Sequence, residues 1–147
     1  MNENTDFYTE MYIQAPKERV WDAFVGQGRF FHAFYGAEIR SSFAVGAPLA
    51  YVGGDGSVHI YGEVLEHVPQ AVLAYTDHPG PLYAADHATL VSRVRITWDT
   101  LGQATKLTLT SDQFSENNPM RKEAAQWYLI LSNFKTFVET GQLMILE

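Results

Sequence analysis

The last quarter of the chain sets the strongest constraint on what it can fold into. From Asn118 to Gly141, Ala124, Trp127, Leu131, Phe134 and Val138 recur at spacings of three and four, with Ile130 and Phe137 widening the stripe. Asn118 suits an N-cap, Pro119 the first helical position and Gly141 the C-terminal stop. The pattern predicts one continuous amphipathic helix of about 20 residues, roughly 30 Å long. A rod with Trp and two Phe on one side needs a broad apolar surface to lie on. The preceding chain reads mostly as strands, so that surface is expected to be a sheet.

Phe7 to Gln14 alternates, with Phe7, Thr9, Met11 and Ile13 on one face. Ala15-Pro16 ends this strand, and Lys17 to Val25 reads as a short helix carrying Val20, Trp21 and Phe24. The aromatic run Arg29–Tyr35 reads equally as a second short helix against the sheet or as a lid over a cavity mouth. Further strands are expected at 36–40, 47–52, 57–68, 71–76, 88–98 and 104–111. Gly53 to Gly56 reads as a hairpin turn and not a phosphate cradle, because no helix follows it. Within 57–68, parity puts Val58, Ile60, Gly62 and Val64 on the apolar face and His59, Tyr61, Glu63 and His67 on the other. Gly62 in mid-strand marks a bend or a close approach by another element. Asp77 to His87, with Pro79, Gly80 and Pro81, reads as an irregular loop.

The expected architecture is therefore α+β, a single domain over residues 1–147. A curved antiparallel sheet of about six or seven strands wraps round the long C-terminal helix, with two short helices after the first strand. A chain of this length buries about 68–70% of its unfolded surface, enough for a core without staples. There is no Cys, which excludes disulfides and thiolate metal sites. The net charge of −7, with Lys plus Arg totalling 10, argues against a nucleic-acid backbone as partner. No apolar run approaches the roughly 18 residues a membrane helix requires. The first residues are polar and acidic, unlike a secretory signal, so a cytoplasmic location is expected. Nine Phe, eight Tyr and three Trp either fill a β-rich core or line a pocket.

Several stretches match one pattern together. They are Ile13-Gln14-Ala15-Pro16-Lys17-Glu18-Arg19-Val20-Trp21-Asp22-Ala23-Phe24, Gly62-Glu63-Val64-Leu65-Glu66-His67-Val68-Pro69 and Leu73-Ala74-Tyr75-Thr76. Next come Ser92-Arg93-Val94 with Thr105-Lys106-Leu107-Thr108-Leu109-Thr110, and finally Trp127, Leu131, Phe134-Lys135 and Glu139-Thr140-Gly141. In order and spacing over nearly the whole chain this resembles the SRPBCC (START/Bet v 1-like) superfamily, in the branch named after homologues of the heat-shock chaperone ATPase activator. The resemblance implies a helix-grip fold with a hydrophobic cavity. It implies no single function, because carriers, polyketide cyclases and chaperone activators share the fold. Two features depart from the pattern. Gln126 stands where such chains often have Gly before the Trp, and Asp77–His87 carries no family signature.

The favoured function is binding of a small hydrophobic or amphipathic ligand between the helix and the sheet, without a chemical step. The residues expected to line the cavity are Phe31, Phe34, Tyr35, Tyr75, Trp98, Trp127, Leu131 and Phe134. The alternatives are an enzyme of cyclase or hydratase type and an interaction module of the chaperone-activator kind. Acid–base candidates are His32, Tyr35, His59, Tyr61, Glu63, Tyr75 and Tyr128. No Ser/His/Asp or paired-carboxylate arrangement is legible. Asp77-His78 and Asp86-His87 bracket one loop, but their spacing matches no established metal site. Neither metal nor cofactor is expected. Arg93 and Arg95 alternate on what reads as a solvated outer face, with a site for an anionic partner as the alternative. A monomer or weak homodimer is expected.

Overall fold

The structure, a computed structural model, describes residues 7–25 and 37–144. Its elements in chain order are β1 (Phe7–Ile13), α1 (Lys17–Val25), β2 (Ala37–Ser41), β3 (Pro48–Gly53), β4 (Val58–Val68) and β5 (Val72–Pro79). A 3₁₀ turn (His87–Thr89), β6 (Ser92–Leu101), β7 (Ala104–Asp112), α2 (Met120–Glu123) and α3 (Gln126–Thr140) follow. The strands form one antiparallel sheet in the order β1-β7-β6-β5-β4-β3-β2. All neighbours are consecutive in sequence except β1, which returns to pair with β7. This is the helix-grip arrangement. The second short helix or lid expected at Arg29–Tyr35 lies outside the described residues. No helix among the described residues is long and apolar enough to cross a membrane.

Alternation sets the sheet's two faces. Along β1, Tyr8, Glu10 and Tyr12 are exposed while Phe7, Thr9, Met11 and Ile13 turn inward. Val94, Ile96 and Trp98 of β6 and Leu107 and Leu109 of β7 are buried on the same inner face. The C-terminal stripe lies on it: Trp127, Ile130, Leu131, Phe134 and Val138 are all buried. Each such side chain contributes roughly 1.5–3 kcal/mol on leaving water. The outer face is polar and paired. The Arg93 guanidinium donates to both carboxylate oxygens of Asp112, and Arg95 Nε donates to Glu66 at 2.9 Å.

One end of the helix–sheet interface is filled by α1. Trp21 meets Trp98 edge-on with ring centroids 4.6 Å apart, and Phe24 meets both Trp98 and Phe134, at 5.8 and 5.4 Å. Polar ties secure the same end. Arg19 Nη2 donates to the Val138 carbonyl at 2.7 Å, and the Gln14 N–H donates to the Glu139 carboxylate at 2.7 Å. Gly141, at φ +81°, closes α3 with its N–H on the Phe137 carbonyl.

Three expectations need correction. The C-terminal rod is not one helix. Trp127 N–H bonds to the Ala124 carbonyl and Tyr128 N–H to the Ala125 carbonyl, a tighter i+3 pattern that separates α2 from α3. Helix propensity at two alanines gives no such stop. The tighter turn keeps Ala124 and Trp127 buried together, and tertiary packing overrides propensity. Asn118 still acts at the start, its side-chain oxygen accepting the Met120 N–H at 2.9 Å. Secondly, β5 runs on through Asp77 and His78 to Pro79 instead of ending at Thr76. Pro is tolerated there because it closes the strand. Thirdly, a bulge between Val64 and Glu66 shifts the register of β4 by one residue. It turns His67 inward, where its ring lies 5.7 Å from those of Trp21 and Phe43.

Gly62 does mark a close approach. A Cβ built there would sit 1.7 Å from the Thr76 carbonyl oxygen, a backbone atom that cannot swing away. Gly62→Ala is therefore expected to lower stability by at least about 2–3 kcal/mol, read as a fall in the urea midpoint. An unchanged midpoint would mean that β4 and β5 are further apart than described.

Candidate functional site

At the end of the interface away from α1, the helix and the sheet diverge around a cavity of about 420 Å³. That volume lies within the usual range for small-molecule sites. Its helical wall is Trp127 and Ile130 of α3, with Met120 and Ala124 just before. Its floor is the inner face of the sheet, with Tyr51 from β3, Ile60 from β4, Asp77 and Pro79 from β5, Ser92 from β6 and Ser111 from β7. Tyr83, His59 and Phe114 stand at the rim, where the Tyr83 hydroxyl and His59 Nδ1 are hydrogen-bonded at 3.0 Å. Glu123 and Gln126 complete the helical side, joined by a 2.7 Å bond from Gln126 Nε2 to Glu123 Oε2.

The strands explain why polar groups point inward here. In β5, Tyr75, Asp77 and Pro79 share the inner parity, so carrying the strand past Thr76 forces the Asp77 carboxyl under the helix. Ser92 pairs directly with Asp77 across the β5–β6 ladder. Directly opposite residues hold their Cβ atoms about 5 Å apart. Asp77 is 8% exposed and its Oδ1 has no hydrogen-bond partner. The Ser92 hydroxyl, at 2% exposure, has none either. Burial raises the Asp77 carboxyl from its ordinary 3.8 to about 7. Deeper in, the Tyr51 and Tyr75 hydroxyls are hydrogen-bonded to each other, and burial pushes both phenols upward, so both stay neutral.

Of the residues expected to line the cavity, Trp127 does so. Tyr75, Trp98, Leu131 and Phe134 belong to the core beneath and beside it. Phe31, Phe34 and Tyr35, with His32 among the acid–base candidates, lie outside the described residues. His59, placed by parity on the outer face, stands at the rim because the β3–β4 register shifts beside Tyr51 and Val52. Tyr61 and His78 stack with centroids 4.7 Å apart, away from the cavity, and Tyr61 also bonds to His87 Nδ1 at 2.5 Å. Glu63 and Tyr128 are exposed. The two Asp-His pairs do not converge on one point: Asp77 faces the cavity while the His78 and His87 rings are held by Tyr61. No cluster of three or more metal-ligating side chains occurs among the described residues. Asp77, Ser92 and Ser111 are inward polar groups that the sequence pattern did not single out: Asp77 falls one residue past the expected strand end, and Ser92 and Ser111 lie within expected strands at the parity of their apolar neighbours.

Asp77 makes stability depend on pH in a definite direction. Its folded value lies above its unfolded one, so the native state holds a proton that the unfolded chain releases. The contribution of Asp77 is fully present below its unfolded value of 3.8 and is lost as pH rises towards about 7, by on the order of 3–4 kcal/mol. Asp77→Asn is expected to remove that slope and to be the more stable protein at about pH 8, measured by urea unfolding at about pH 5 and about pH 8. A difference between the two proteins that does not change with pH would refute the assignment.

Comparison with known proteins places this geometry in a family. Residues 14–139 match the family described as Activator of Hsp90 ATPase homolog 1-like protein. Protein MLL2253 from Mesorhizobium loti shares the fold at a TM-score of 0.74 and 22% identity, over 95% of this chain and 100% of that one. ChR145 from Cytophaga hutchinsonii does so at 0.73 and 24%, over 96% and 98%. The Aha1 dimer from Colwellia psychrerythraea does so at 0.70 and 14%, over 94% and 98%. No curated protein matches the chain in sequence. With its match running from the end of β1 to the last turn of α3, the chain belongs to the Activator of Hsp90 ATPase homolog 1-like family, within the SRPBCC superfamily.

Proposed function

We propose that the protein binds a small, largely apolar molecule in the cavity between α3 and the sheet, and releases it unchanged. The observation that carries this reading is the cavity itself, about 420 Å³ and walled by Trp127, Ile130, Tyr51 and Ile60. An apolar chamber with a few convergent polar groups is the usual form of a small-molecule site. The fold supports it as well, since helix-grip proteins include carriers. The family name alone assigns no activity to any residue of this chain. One neighbour is a dimer, and a monomer or weak homodimer remains the reading for this protein.

A second reading is favoured by Asp77. A carboxyl poised near neutrality inside an apolar cavity can give or take a proton, as a cyclase- or hydratase-type enzyme requires. The two readings separate on the bound molecule. Protein purified from its own cells is extracted, and the recovered compound is incubated with fresh protein. Recovery unchanged supports the carrier. Conversion that disappears in Asp77→Asn supports the enzyme.

Binding itself is tested with N-phenyl-1-naphthylamine, whose fluorescence rises in apolar surroundings. Trp127→Ala is expected to weaken uptake by at least about tenfold, in line with the loss of a large apolar contact, while far-ultraviolet circular dichroism stays native. Leu82→Ala, at an exposed position off the cavity wall, serves as the control with unchanged uptake. Wild-type protein that takes up no apolar probe would remove the reading.

A further inference from the structure

The polar atoms of the cavity are grouped, and the grouping specifies a partner. Asp77 and Ser92 face each other across one ladder, both more than nine-tenths buried, with Asp77 Oδ1 and the Ser92 hydroxyl unpartnered. Buried polar groups are normally satisfied, and a buried charge needs an opposite charge. The described residues supply none at this wall. Among the described residues lining the cavity the charged ones are Asp77 and Glu123, both acidic, and His59 stands at the rim. Among the described residues no Lys or Arg lines it; Arg121 reaches the Phe114 ring, 5.4 Å from its centroid, without joining the wall. Tyr51, Phe114 and Trp127 line the same cavity as the acid. Aromatic faces attract cations as well as apolar bodies.

We infer that the preferred occupant is a hydrophobic amine, an aromatic or alicyclic body with one protonated nitrogen that seats on Asp77 and Ser92. This deepens the binding reading above and rests on it. An ammonium brings up to three donors and the missing positive charge, so it satisfies both open acceptors at once. A neutral alcohol of the same size offers one donor and leaves the carboxylate uncompensated. A carboxylate of the same size faces two acidic side chains with no Lys or Arg among the described lining residues, which selects against fatty-acid-like guests. Among the described residues the other titratable groups beside Asp77 are the Tyr51 and Tyr75 phenols, which burial keeps neutral.

The test is isothermal titration of three probes of matched size, 2-(1-naphthyl)ethylamine, 2-(1-naphthyl)ethanol and 1-naphthylacetate. It is run at about pH 8, above the Asp77 value of about 7 and below that of the amine. The amine is expected to bind at least about tenfold more tightly than the alcohol, as a charge-assisted hydrogen bond predicts, and the acetate most weakly. In Asp77→Asn, which keeps the side chain's shape, the ratio of amine to alcohol affinity is expected to fall to near unity. Equal binding of amine and alcohol by the wild type overturns the inference, as does an amine preference that survives in Asp77→Asn. Should that variant fail to fold, the wild-type ranking of the three probes decides alone. If none of the three binds while N-phenyl-1-naphthylamine does, the amine inference falls and the cavity reading stands. If that probe is silent too, both fall.

Discussion

Trp98 is where the sheet, the first helix and the last helix are joined. Its buried indole on β6 takes the edges of Trp21 and Phe24 from α1, and Phe24 in turn meets Phe134 of α3. Aromatic pairs in these edge-to-face geometries add about 0.5–1.5 kcal/mol each beyond the area they bury. With Arg19 on the Val138 carbonyl and Glu139 on the Gln14 N–H, this junction fixes the C-terminal half of α3 against one end of the sheet. A straight helix anchored at one end of a curved sheet parts from it toward the other. The cavity under Trp127 and Ile130 follows from that anchoring.

Where the helix and sheet part, the inner face changes character. Near the junction it carries Leu73, Ile96, Trp98 and Leu107, all apolar. Toward the cavity the same strands present Asp77, Ser92 and Ser111. A core would not tolerate an unpaired carboxyl at that depth without a cost in stability, and natural sequences keep such local conflicts chiefly at functional sites. The Tyr51–Tyr75 hydroxyl pair sits between the two regions, where both phenols are fully packed and satisfy each other.

Much of this was legible in the sequence because it depends on periodicity. The 3.6-residue stripe gave the buried face of α3, the two-residue alternation gave β1, β6 and β7, and Gly62 and Gly141 marked a close approach and a helix stop. What escaped was set by departures from period. Bulges at two places along β4 reverse parity, which moved His67 inward and His59 to the rim. Asp and Pro are rare in strands, so composition ends β5 at Thr76, while parity two residues after Tyr75 carries Asp77 inward. Trp127 was legible as a cavity wall because it lies at the helix's N-terminal end. Tyr75, Trp98, Leu131 and Phe134 share its hydrophobic pattern, and pattern alone does not separate a wall from the core behind it.

The i+3 turn at Ala124–Ala125 divides the C-terminal segment into two parts with different tolerances. Downstream, α3 is bound to α1, β6 and the β1 end, and a change of volume there is felt throughout the core. Upstream, α2 is a single turn with no buried side chain of its own, and it contributes only Met120 and Glu123 to the chamber. Exchanging residues on that turn would therefore reshape one side of the cavity while the Trp98 junction at the other end is left alone.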